Sequence, residues 1–241
     1  NWHVDFAFSA PRVSLGNRLF YDTDDDGQDN DGVGSALGSS VGIDGATVQL
    51  YRDTNGNGSF DAGDAFVTDI QTSNGGYYTF TNLMPTTGIT STYLVVITSS
   101  NFIAGGPLAG YWSSTDIPTT LTPDGDVDFD DNGETMGVLG QLNGIVASRA
   151  LTLTVNGEPT GENNGGNDPT ADDSSNQTVD FGFYLTDLGD APDSYSTTLN
   201  NTTPYTGASH IISDTLYLGS RVDAEADGQP VADGAAATND D

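Results

Sequence analysis

The sequence has no cysteine and no lysine, only two histidines and two methionines. No stretch of it carries helical periodicity. Without cysteine, disulfides and thiolate metal sites are excluded, and redox compartment cannot be read from bonds that do not exist. His3 and His210 lie far apart, and neither sits in a serine-triad or zinc motif. No phosphate-cradling glycine loop is present, so the chain is expected not to be an enzyme. Carboxylate pairs are abundant, but acids held in cation loops have depressed pKa values and make poor general acids. No apolar run approaches the length of a membrane-spanning helix, and no membrane insertion is expected. No signal peptide is visible, and Asn1 stands where a Met would begin a full chain, so a processed chain or a fragment is expected. Positive charge is scarcest of all: five Lys+Arg, every one an arginine, stand against 35 Asp+Glu, for a formal net charge of -30. Such a balance repels nucleic acid and anionic membrane, and it repels the folded chain from itself unless cations settle among the carboxylates.

What is abundant is turn chemistry. Gly, Asp, Asn and Pro clusters separate short period-two runs rich in strand formers. Strands are expected at 2–8, 13–21, 46–52, 66–71, 77–81, 92–98, 145–155, 178–184 and 215–222. Asn74-Gly75-Gly76 is a hairpin signal before Tyr77. Regular short strands without helices indicate an all-β sandwich. Val4-Asp5-Phe6-Ala7-Phe8 is echoed by Val179-Asp180-Phe181-Gly182-Phe183. The first copy reads as the closing strand of a preceding domain or as a strand donated to a neighbouring subunit. The expected divisions are 1–11 for that strand, 12–186 for the main sandwich and 187–241 for a thin, partial β domain.

The acids are not scattered evenly. Residues 53–64 read D-T-N-G-N-G-S-F-D-A-G-D. Asp53, Asn55, Asn57, Asp61 and Asp64 occupy side-chain ligand positions of a twelve-residue calcium loop, Ser59 its backbone-carbonyl position and Gly58 its sharp turn. Asp stands at the last position in place of the usual Glu. Strand-forming flanks on both sides make this a loop between strands and not a helix–loop–helix sensor. Asp22, Asp24 and Asp26, followed by Gly27, open a second loop of the same kind. Its later ligands blur, with Asp29, Asp31 and Asp44 available. Asp124, Asp126 and Asp128 alternate over a short span, where mutual repulsion calls for a cation or a solvated loop. Asp223, Glu225 and Asp227 repeat the opening near the end. Residues 158–173 are acidic and Gly/Asn-rich, and read as a long loop. Without metal, each of these segments is an acidic, solvated turn. Two or more calcium ions are expected. Millimolar-range sites of this type function where calcium is plentiful, which points outside the cell.

Ser14-Leu15-Gly16-Asn17-Arg18-Leu19-Phe20-Tyr21-Asp22, Gly42-Ile43-Asp44-Gly45-Ala46-Thr47-Val48-Gln49-Leu50-Tyr51, Gly76-Tyr77-Tyr78-Thr79-Phe80, Gly157-Glu158-Pro159-Thr160-Gly161-Glu162 and Val179-Asp180-Phe181-Gly182-Phe183-Tyr184 come in the order of an SdrD-type B repeat. The chain resembles that family over roughly residues 11–185. The resemblance implies an immunoglobulin/prealbumin-like Greek-key β-sandwich with calcium-binding loops, related to collagen-adhesin B domains and used as a rod or stalk on bacterial surfaces. It also implies that Asp22, Asp24 and Asp26 and the loop 53–64 are calcium ligands. Asp187-Leu188-Gly189-Asp190-Ala191-Pro192-Asp193 and Val222-Asp223-Ala224-Glu225-Ala226-Asp227-Gly228 are similar to the beginning of a GEVED-type extracellular domain. Residues 31–41 are an insertion where the family closes its first loop. The Lys–Asn isopeptide crosslink of related domains is impossible without lysine. The expected function is a structural, calcium-stabilised module of the cell surface. Its expected partners are adjacent tandem domains or other copies of itself, joined end to end by strand addition. The alternative is an adhesin module of a biofilm or host surface, binding an extracellular protein or glycan through Tyr111 and Trp112.

Overall fold

Alternating apolar residues and turn chemistry resolve into strands in the computed structural model, which describes residues 10–114, 128–137, 139, 144–163, 165–166, 168–189 and 209–212. In chain order the strands are β1 (Val13–Tyr21), β2 (Thr47–Arg52), β3 (Ala65–Gln71), β4 (Tyr77–Leu83), β5 (Tyr93–Ile97), β6 (Tyr111–Ser113), β7 (Glu134–Met136), β8 (Ile145–Ala147), β9 (Ser175–Asn176), β10 (Phe181–Leu188) and β11 (Ser209–Ile211). They form an all-β domain of two packed sheets. One sheet runs β11-β10-β1-β4, with β6 also on β10 and β9 also on β1; the other runs β3-β2-β5-β8-β7. The expected strands at 2–8 and 215–222 lie outside the described residues.

The core lies between the sheets. Leu15 and Leu19 of β1, Val48 and Leu50 of β2, Tyr78 and Phe80 of β4, Val95 and Ile97 of β5, and Phe181 and Phe183 of β10 belong to one buried cluster. Burying a side chain of this size contributes about 1.5–3 kcal/mol, so the cluster is what fixes the register of each alternating strand. β2 shows the alternation cleanly, with Val48 and Leu50 buried between partly exposed neighbours. β5 is buried along its whole length, as befits a strand with a neighbour on each side. β3 is the contrast: it ends its sheet and is exposed at nearly every position.

Where the structure differs from the sequence pattern, side chains have taken over backbone pairing. The single strand expected over 145–155 stops at Ala147, because the Ser148 hydroxyl accepts the Val95 N–H at 3.0 Å in place of a ladder carbonyl. Leu151 rejoins the sheet as an isolated bridge to Tyr93. The turn at 74–76 forms, closed by the Ser73–Tyr77 bridge. Its two strands then part, β3 to one sheet and β4 to the other. Gly76 there has φ +87°, and a Cβ would stand 2.1 Å from the Leu19 carbonyl oxygen. The division expected at 186/187 falls within β10, which runs on to Leu188 and pairs with β11.

Candidate metal centres

β2 delivers Asp53 to the start of the loop 53–64, where it is 1% exposed. Its two carboxylate oxygens accept the N–H groups of Gly56 at 2.6 Å and Gly58 at 2.8 Å. Gly58 has φ +80°, the left-handed conformation that glycine adopts without penalty. Asn55 and Asn57 accept the N–H groups of Asn57 and Ser59, both at 2.9 Å. Asp64 accepts the N–H groups of Thr54 at 3.2 Å and Asp61 at 2.8 Å. The amide nitrogens of Asn55 and Asn57 converge on one oxygen of Asp61, at 2.6 and 2.7 Å. The Gly63 N–H, then the Asn55 amide, hold the Asp61 carboxyl below the usual carboxylate range. Ser59 turns its hydroxyl outward to accept a hydrogen bond from Arg149 at 2.7 Å. The Gly58 carbonyl ties the loop to the body by accepting the Ala150 N–H at 3.1 Å. Asp53, Asp61 and Asp64 offer only oxygens, the chemistry of a hard divalent cation, while Asn55 and Asn57 turn their amide nitrogens to Asp61.

The loop that follows β1 repeats the device. Asp22 is fully buried, and its carboxylate accepts the Gly27 N–H at 2.9 Å and the Asp26 N–H at 3.3 Å. Gly27, like Gly58, lies five residues beyond its aspartate and has positive φ. Asp22, Asp24 and Asp31 each bring an oxygen within 4.8 Å of the others. Asp26, expected as the third ligand, instead accepts the Gln28 N–H at 2.9 Å and the Asn30 amide at 3.1 Å. Asp31, from within the insertion, takes that place. The other two acids available by position go elsewhere: Asp29 to Arg18 and the Ser40 N–H, and Asp44 to the Gly75 and Gly76 N–H groups. Burial pushes the Asp22 carboxyl up to about 6, against the Gly27 N–H and with help from the Asp31 charge. Burial and the charges of Asp26 and Asp31 raise Asp24 as well. Three acids drawn together this way repel one another until a proton or a cation joins them.

Asp124 and Asp126 lie outside the described residues. Asp128 is half-buried and accepts the Asn17 amide at 2.9 Å and the Asn163 N–H at 3.2 Å. Burial raises its carboxyl despite those donors, and the Asp180 carboxyl is in hydrogen-bond contact with it. Asp180 is 1% exposed, and burial and the Asp128 charge raise it well above the carboxylate range. Its oxygens accept the Arg18 N–H at 2.9 Å and the Phe129 N–H at 3.0 Å. The segment around Asp128 is irregular and not an alternating strand; Phe129 even has φ +81°. Glu158 is engaged within the fold, accepting the Thr154 N–H and hydroxyl and the Asn176 amide. The acids at 223–227 lie outside the described residues.

A cleft of about 590 Å³ opens beside the Asp22–Asp24–Asp31 group, lined by Tyr21, Tyr111 and Tyr184 among others. Tyr21 and Tyr111 stack with ring centroids 5.2 Å apart at 29°. Burial pushes the Tyr184 hydroxyl up to about 12, helped by the charges of Asp25 and Asp22. Trp112 pairs with Tyr184 across β6 and β10 and does not line the cleft. His210 sits on β11 opposite Asp187, while His3 lies outside the described residues. No helix among the described residues is long and apolar enough to cross a membrane. No model of a known protein family matches this chain, and no curated protein matches it either.

Proposed function

We propose that the chain is a calcium-stabilised structural module of an extracellular bacterial surface protein, a stalk or fibre element of SdrD-type B-repeat character followed by the start of a GEVED-type domain. Its sandwich is of the immunoglobulin/prealbumin-like Greek-key kind. The observation that carries this reading is the repeated device at Asp22 and Asp53. In each, a buried aspartate at a strand end holds the N–H of a positive-φ glycine five residues on, and at Asp22 two further acids gather beside it. Asp22, Asp24 and Asp31 would hold one ion; Asp53, Asn55, Asn57, Asp61 and Asp64 would hold another. Calcium supplies the positive charge that a chain with 35 acids and five arginines lacks. Cross-bracing the loops then stiffens the rod. Assembly with other copies or adjacent domains proceeds by strand addition, for which β3 offers an exposed edge carrying Phe66 and Val67.

The test is thermal unfolding in calcium and in excess chelator. With a dissociation constant of ~10⁻⁴ M and ~2 mM calcium, each site adds about 1.8 kcal/mol. Two sites then raise the melting temperature by roughly 7–14 °C. An unchanged melt in chelator sinks the reading.

A second reading, an adhesin, is favoured by the tyrosine-lined cleft beside the acids. Aromatic faces next to a bound cation suit a polyhydroxylated or peptide ligand. Binding to a panel of glycans and matrix proteins should disappear in Tyr111→Ala. Binding that survives Tyr111→Ala combined with Trp112→Ala refutes this site.

A further inference from the structure

Over the middle of β1, away from the acidic loops, a buried hydroxyl meets a buried carboxamide. Gly16 of β1 pairs with Thr79 of β4 along one edge, while β9 runs beside the other edge and ends at Asn176. The next residue, Gln177, is 2% exposed, and its side chain crosses above Gly16. A Cβ on Gly16 would stand 2.5 Å from the Gln177 Oε1 and 3.2 Å from its Cδ, so glycine is what leaves the carboxamide room. The Thr79 hydroxyl, on a residue 9% exposed, donates to that Oε1 at 3.3 Å. The carboxamide nitrogen has its own partners: it donates to the Ser175 hydroxyl at 3.0 Å, the Asn176 carbonyl at 3.2 Å and the Asp168 carboxylate at 3.4 Å. Asp168 is fixed in turn by the Ser14 and Ser175 hydroxyls.

A hydroxyl held against a carbonyl group in a site shut from water has one electrophile and no competing nucleophile. Adding the C=O bond of about 1.23 Å to the separation above puts the Gln177 Cδ within about 4.5 Å of the Thr79 oxygen. A reactive approach of about 3.5 Å then asks for a shift of about 1 Å at most. We propose that Thr79 and Gln177 join in an ester cross-link formed by the folded chain itself. The Thr79 Oγ1 bonds to the Gln177 Cδ, and the Cδ–Nε2 bond breaks with its electron pair going to nitrogen. The hydroxyl proton passes to that nitrogen, which leaves as ammonia. No oxidant, cofactor or second substrate enters. The Asp168 carboxylate lies where positive charge grows on the departing nitrogen and stabilises it there. Ammonia that escapes to solvent is protonated, which makes the step one-way, and burial shields the ester from hydrolysis. The link closes a loop across 98 positions and ties β4 covalently, over the top of β1, to the segment between β9 and β10.

The experiment is intact-mass and fragment analysis of the purified, folded chain. It should be lighter than its sequence by one ammonia, and digestion should release one branched peptide carrying both Thr79 and Gln177. Hydroxylamine added after unfolding should cleave the branch, since it cleaves esters and spares amides. Thr79→Val, close in shape but without the hydroxyl, should give no branched peptide, whereas Thr79→Ser should keep it. Asp168→Asn should slow formation of the link by roughly 10²–10³-fold, the scale for losing one electrostatic contact to a transition state. Thr79 and Gln177 recovered in separate, unmodified peptides from protein held folded for days overturn the inference. So does a loss of ammonia with no branched peptide that persists in Thr79→Val, which marks succinimide formation at an Asn-Gly pair. An unchanged rate in Asp168→Asn overturns the role given to that carboxylate. The mass reads the link whether or not calcium binds, and the melt in chelator reads calcium whether or not the link forms, so the two readings fail separately.

Discussion

Replacing Arg18 with methionine should be among the most damaging single changes in the main domain. The guanidinium is nearly buried, as is the Asp29 carboxylate it pairs with, at 9% and 1% side-chain exposure. It also donates to the carbonyls of Gly75 at 2.8 Å, Gly38 at 3.1 Å and Ser40 at 2.7 Å, and stacks 5.2 Å from the centre of the Tyr77 ring. Methionine keeps the apolar stem and removes all of these donors. Removing one partner of a buried ion pair costs about 3–5 kcal/mol, because the other charge is left uncompensated. In a domain of this size that lowers the melting temperature by roughly 6–20 °C. Since Asp29 also accepts the Ser40 N–H at 2.7 Å, the damage should centre on the insertion at 31–41. Hydrogen exchange at Ser40 should speed up before exchange in β5 does. Asp29→Asn added to Arg18→Met removes the stranded charge and should recover a large part of the loss. A loss below about 1 kcal/mol, the value of a surface pair, or a double variant no better than the single one, refutes the reasoning.

Two further outcomes follow from other residues. Burial alone would raise the Asp168 carboxyl, but hydrogen bonds from the Ser14 and Ser175 hydroxyls and the Thr170 N–H outweigh it and hold it below its ordinary 3.8. The unfolded chain therefore binds this proton more readily. The stabilisation is complete above about pH 4 and is lost as pH falls through the lower folded value; acid titration of Asp168→Asn should lack that part of the acid limb, and an unchanged limb contradicts the assignment. Gly76→Ala should destabilise far more than Gly58→Ala. Both positions have positive φ, costing about 1–2 kcal/mol for a side chain, but only at Gly76 would the new Cβ also strike the Leu19 carbonyl. Equal losses in denaturant unfolding would show that the contact relaxes freely.

How much of this was legible in the sequence depends on where each partner lies along the chain. β1, β2 and β4 are visible because alternation and the turn at 74–76 are local signals. β6, β7, β9 and β11 are two or three residues each; tertiary pairing makes them, with no periodicity long enough to detect. The loop 53–64 is readable because its oxygens come from one short segment. Asp31 displaces Asp26 beside Asp22 only because the insertion folds back under Arg18, which spacing does not reveal. The bond from the Asn17 amide to Asp128 could not be found that way at all, because the two lie 111 positions apart and meet only in the fold.

The parallel alignment of β1 with the closing segment has a mechanical consequence. Pairing begins at Ser14 with Ser175, continues through Asn17 and Val179, and extends to Tyr21 with Phe183. The chain enters this seam at Ser14 and leaves it at Phe183, at opposite ends. Tension applied to the two sides therefore slides one strand along the other, and the hydrogen bonds of the seam carry the load together instead of parting one by one. Loaded along the strand direction, this seam shears and does not unzip.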